Sequence, residues 1–117
     1  MKKVLAVLML FAATALCAWD TGLYDEQSMD HLSGYRFDLM IIECTQGTLD
    51  MPSRLHMGFQ GVLQIRNALT KSGADNSRTR IVITHFSHNI GLLHDEFAEI
   101  AGQEGIEVAW DGMAVEL

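Results

Sequence analysis

The sequence predicts an α/β domain in which strands alternate with helices, and three observations predict it. Short β-branched or aliphatic runs, above all Ile81-Val82-Ile83, are too brief for helices and suit strands covered on both faces. Two longer segments, 56–72 and about 92–103, place their apolar residues at helical spacing instead. Each strand-like run also stops abruptly at polar side chains, as strands do when they deliver groups to one edge of a sheet.

Composition bounds the rest. The chain has 117 residues, 49% of them hydrophobic, and a single proline, which fits one small domain, or part of a larger one, with a buried core. A formal net charge of -7 offers no general attraction to a phosphate backbone, so a nucleic-acid binder is not expected. A local site could still hold phosphate through a metal. Cys17 and Cys44 show neither zinc-knuckle nor redox-pair spacing and read as core or near-site thiols.

The first eighteen residues admit two readings. Lys2 and Lys3, an uncharged apolar run over 4–16 and small residues around Cys17 and Ala18 resemble a secretory signal peptide, which would make the protein exported. The run is too short for a stable membrane span. Alternatively, 14–19 is a core strand whose end presents Asp20. The two readings exclude each other in a mature protein, because cleavage after Ala18 would leave Asp20 second on a frayed terminus.

Onward from Asp20-Thr21-Gly22, a turn, the segment 25–32 reads as a short helix closed by Ser33-Gly34. A strand over 37–42 follows and runs into Glu43, Cys44 and Thr45. Residues 46–54, with Gly47 and Pro52, form a loop. His56 opens the first long helix, and Gly73 caps its end. After the strand at 81–83 come Thr84, His85, Ser87, His88 and Asn89, then the second long helix, ended by Gly105. Alternation of Ile106, Val108 and Trp110, the Asp111-Gly112 pair, and alternation of Met113, Val115 and Leu117 predict a C-terminal β-hairpin.

Asp20, Glu43 and His85 each follow an apolar run, so parallel neighbouring strands would gather them at one sheet edge. Carboxylate and imidazole together suit zinc or manganese. Each residue also has a plainer reading. His56 could cap its helix, His88 could be a solvated loop residue, and His31 and His94 could be surface helix positions. Glu43 could be a buried acceptor for neighbouring N–H groups. No Gly-rich phosphate loop or nucleophile elbow is present.

Five ordered motifs add a resemblance: Ala18-Trp19-Asp20-Thr21-Gly22, Asp38-Leu39-Met40-Ile41-Ile42-Glu43-Cys44-Thr45, His56-Met57-Gly58, Thr84-His85-Phe86-Ser87-His88-Asn89 and Ala109-Trp110-Asp111-Gly112-Met113. Over roughly residues 15–117 the chain resembles the C-terminal half of a metallo-β-lactamase-fold hydrolase, in the branch of ribonuclease Z and the cyclic phosphodiesterase of phosphonate breakdown. That resemblance implies half of an αββα sandwich and a site for two zinc or manganese ions. Asp20 would bridge the ions, His85 would ligate one, His56 would serve acid-base work or phosphate contact, and His88 would be a neighbouring substrate contact.

The resemblance also implies a cytoplasmic protein and a small phosphodiester substrate. The family's His-x-His-x-Asp-His motif, which belongs to its N-terminal half, does not occur in this sequence. Metal would therefore be weakly held or absent. The chain looks like a truncated or split member whose activity would need a complementing N-terminal half or a homo-oligomer. The alternative is a non-catalytic exported or fragmentary α/β domain that keeps the fold without the chemistry.

Overall fold

The computed structural model describes residues 4–10, 13–49, 51–52 and 55–117. Lys2 and Lys3, the basic start of the leader reading, and the last residues of the expected 46–54 loop, Ser53 and Arg54, lie outside them. The described elements are β1 (Val4–Leu10), β2 (Ala13–Trp19), α1 (Glu26–Leu32), β3 (Leu39–Glu43), α2 (Phe59–Ser72), β4 (Arg80–Thr84), α3 (His94–Gly102) and β5 (Glu107–Val108). One five-stranded sheet runs in sequence order, with β1 antiparallel to β2 and the remaining pairs parallel. The expected α/β alternation is what the chain adopts.

Residues 13–19 take the strand geometry of the second leader reading. β2 lies inside the sheet, in register with β3 from Ala15 opposite Leu39 to Ala18 opposite Ile42, and Leu16 and Ala18 are fully buried. Period-two alternation divides the strand residues between two faces. Leu16, Ala18, Met40, Ile42, Ile81 and Ile83 pack with the helices, against Leu32, Val62, Ile65, Leu69, Phe97 and Ala101. Ala15, Leu39 and Val82 look the other way, and Met113 and Val115 of the C-terminal segment pack over them.

Sequential parallel strands joined by right-handed crossovers place their helices on one face, which accounts for this asymmetry. It also puts the C-terminal ends of β2, β3 and β4 side by side. Among the described residues no helix is long and apolar enough to cross a membrane.

Several elements depart from expectation: β1 is a strand within the apolar run of the leader reading, and α2 starts at Phe59 instead of His56. The C-terminal hairpin does not form: β5 is two residues long and pairs parallel with β4, Val82 opposite Glu107 and Ile83 opposite Val108. Its turn does form, with the Met113 N–H donating to the Trp110 carbonyl at 3.0 Å. The hairpin-type turn needs positive φ at both central residues, whereas here only Gly112 has it, at 82°. That pattern belongs to a type II turn, which splays the chain away from pairing.

α3 starts later than its apolar spacing predicts. The Glu96 carboxylate reaches back to accept the Leu93 N–H at 2.9 Å, so Leu93 caps the helix and stays largely exposed. α1 and α2 end close to where the sequence places their stops. Gly73 adopts φ 81° as the α2 cap.

Candidate metal centre

At the C-terminal edge of the sheet, β2 ends in Trp19, which Asp20 follows, β3 ends in Glu43, and β4 ends in Thr84, which His85 follows. Asp20 (φ 52°) and His85 (φ 62°) are the two non-glycine residues in the left-handed region among the described residues. An L side chain there carries a steric cost of about 1–2 kcal/mol, and such costs concentrate at functional positions. Here the left-handed kink turns each side chain out of its strand and over the edge.

Glu43 fastens the segments around them. Its carboxylate is fully buried, and it accepts from the backbone N–H groups of Gly22 at 3.2 Å, Thr45 at 3.0 Å and Met57 at 3.1 Å. It also accepts the Thr45 hydroxyl at 2.7 Å. A buried carboxylate persists when its lone pairs are filled in this way. One side chain thus ties the Asp20 turn and the segment carrying His56 to the end of β3, so Glu43 is the buried acceptor among its two expected roles.

The His56 segment is also held by close backbone packing. Gly47 accepts the Phe59 N–H at 2.7 Å, and a Cβ on Gly58 would fall 2.8 Å from the same Gly47 carbonyl oxygen. Only glycine fits at 58 without moving the chain. His56 therefore precedes α2, which starts at Phe59, and sits over the sheet edge.

Asp20, His56 and His85 meet there, with one donor atom from each lying within 4.8 Å of the others. Asp20 Oδ1 is 3.6 Å from His56 Nδ1 and 3.7 Å from His85 Nε2. An ion with bonds of about 2.0–2.2 Å to nitrogen and oxygen spans donors up to roughly 4 Å apart, so the separation of Asp20 from each histidine lies within the reach of one divalent cation. The three side chains are between a third and a half exposed, which leaves the cluster open to solvent and to ligands. Cys44, close by, is buried and its thiol is pushed up to about 12, first by burial and then by the Glu43 charge. It offers no thiolate at neutral pH.

His88 is not in this cluster. It is exposed and lines a neighbouring pocket of ≈ 440 Å³ with Ser87, His94, Phe97, Trp110 and Asp111. His94 does more than occupy a helix surface: its Nε2 lies 3.1 Å from the Val108 carbonyl, and its ring meets Trp110 edge-on. His31 is exposed on α1.

Thr45 is the residue that sequence reasoning passed over. Its hydroxyl lies 3.2 Å from His56 Nδ1 and 2.9 Å from His85 Nδ1, at the centre of the cluster. Its only sequence signal is its place two residues beyond Glu43 at a strand end.

No family model matches the sequence, and no curated protein matches it. Among solved structures, the fold is similar to the crystal structure of a diphosphatase from the PhnP family, at 20% identity and a TM-score of 0.62. The match covers 95% of this chain and 46% of that one, so the chain spans about half the length of its structural neighbour. A likeness at this identity concerns the fold, and it is consistent with part of a metallo-β-lactamase sandwich.

Proposed function

We propose that this chain carries part of the site of a metal-dependent hydrolase of the metallo-β-lactamase superfamily, phosphodiesterase-like and incomplete as a lone chain. The observation that carries this reading is the convergence of Asp20, His56 and His85 on one point of the sheet edge. Asp20 and His85 would hold zinc or manganese, which when bound supplies Lewis-acid polarisation of a phosphoryl oxygen. His56, on the same rim and beside the buried Glu43 carboxylate at 3.6 Å, would move a proton to or from the substrate or contact its phosphate. His88, in the adjoining pocket, would touch the organic part of a small phosphodiester.

Zinc in a hydrolytic site takes at least three protein donors, and dinuclear sites take more. Asp20 and His85 are two donors, short of one complete set, so full activity calls for donors from a complementing N-terminal half or from a second copy of the chain. A net charge of -7 repels an anionic substrate at long range, which makes the bound cation the main attraction for phosphate.

Hydrolysis of bis(4-nitrophenyl) phosphate tests the proposal, with Zn²⁺ or Mn²⁺ present and a polypeptide bearing the His-x-His-x-Asp-His motif added. Activity should appear on complementation and vanish in His85→Ala. In His56→Ala it should fall by about 100 to 10,000-fold with metal content retained, and in His31→Ala it should be unchanged. Equal losses in all three variants would refute the residue roles. Absence of activity under every complementation would favour a domain that keeps the fold without the chemistry.

A further inference from the structure

The hydroxyl of Thr45 touches three groups at once, and a hydroxyl has one proton and two lone pairs. Glu43 Oε2 already accepts the Thr45 N–H at 3.0 Å, and its partner oxygen accepts from Gly22 and Met57. An acceptor-only carboxylate makes the 2.7 Å contact with Thr45 Oγ1 only if Thr45 donates. The one hydroxyl proton is thereby committed to Glu43. Both imidazoles must then meet the hydroxyl with an N–H of their own, from His85 Nδ1 at 2.9 Å and from His56 Nδ1 at 3.2 Å.

The surroundings of His56 Nδ1 agree. Besides Thr45 it faces Asp20 Oδ1 and Glu43 Oε1, each at 3.6 Å, so three oxygens surround it and none has a free proton to give. A bare nitrogen there would set its lone pair against theirs.

We propose that Thr45 is a positioning residue that fixes both histidines as Nδ1–H tautomers and so divides their roles. His85 is left with a bare Nε2, 3.7 Å from Asp20 Oδ1, ready to ligate a cation with that carboxylate. His56 keeps a proton on the nitrogen that faces the carboxylates, which suits proton transfer or phosphate contact and removes Nδ1 as a ligand. Metal-binding histidines are oriented in this way when their second nitrogen donates to a fixed acceptor. Glu43 fixes Thr45, and Thr45 fixes the rings. This inference rests on the metal-site reading for its consequence, and on hydrogen-bond chemistry alone for the tautomers.

Two measurements on the full chain separate those levels. Long-range ¹H–¹⁵N correlation of the imidazoles in metal-free protein should show Nδ1–H for His56 and His85. Thr45→Val, close in shape but without the hydroxyl, should move His85 toward Nε2–H, and Thr45→Ser should restore the wild-type pattern. An Nε2–H tautomer at His85 in the wild type, or no change in Thr45→Val with its fold intact by thermal melting, overturns the proposal. Titration with Zn²⁺ alone should then show about 10- to 100-fold weaker binding in Thr45→Val, with recovery in Thr45→Ser. Unaltered affinity in Thr45→Val overturns the positioning role. If the wild type takes up no Zn²⁺ while the tautomers are as stated, the metal-site reading fails and the tautomer assignment stands.

Discussion

Asp20 and His85 carry a conformational cost in their positive φ angles, and the cost is measurable. Glycine ordinarily destabilises an element by about 0.5–1 kcal/mol relative to alanine, whereas an L residue in the left-handed region carries about 1–2 kcal/mol that glycine avoids. Metal-free Asp20→Gly and His85→Gly should therefore be more stable than Asp20→Ala and His85→Ala by roughly 0.5–1 kcal/mol in urea unfolding. Alanine variants equal to or more stable than their glycine counterparts would show that these backbones are not strained. Asp20 and His85 were legible in the sequence because each ends an apolar run. Thr45 was not, because its role depends on rings 11 and 40 residues away. Sequence spacing says nothing about such convergence. Glu43 was legible only as two alternatives, which the burial of its carboxylate resolves.

Among the elements, β2 bears most on how the site is held. Leu16 and Ala18 are fully buried within the helix-covered face, and Asp20 leaves the sheet directly from this strand. A chain beginning at Trp19 would lack β1 and all but the last residue of β2, and should lose both cooperative thermal unfolding and Zn²⁺ binding. Cooperative unfolding with undiminished Zn²⁺ affinity would instead support the leader reading for residues 1–18. A short apolar run flanked by small residues suits a signal peptide and a buried strand equally well, which is why composition alone left both open. The hairpin expectation had a different weakness. Asp-Gly permits two positive φ angles but does not enforce them, and the packing of Met113 and Val115 against the sheet prevails over strand pairing. At α3 the apolar spacing extends back through Leu92 and Leu93, but the Glu96 side chain sets the start.

At the scale of the whole molecule, α/β alternation and the gathering of polar residues at one edge were legible from run lengths and periodicity. What covers each face of the sheet was not. The helices bury one face, while the other rests on a short tail, with Met113 and Val115 over Ala15, Leu39 and Val82, and Arg80 Nη1 donating to the Glu116 carbonyl at 3.1 Å. Removing residues 113–117 should uncover that face, raising dye binding to apolar surface and shifting sedimentation toward larger species. Unchanged sedimentation and dye binding would mean that the tail is not the cover. In a full sandwich a second sheet would lie on this face.

The central claim is that Asp20 and His85 form a partial metal centre, and calorimetric titration of Zn²⁺ into the full chain, wild type beside His85→Ala, tests it most directly. The wild type should bind weakly, with fewer than two ions per chain, and His85→Ala should lose that binding. Two tightly held ions per chain, or binding undiminished in His85→Ala, would contradict the account.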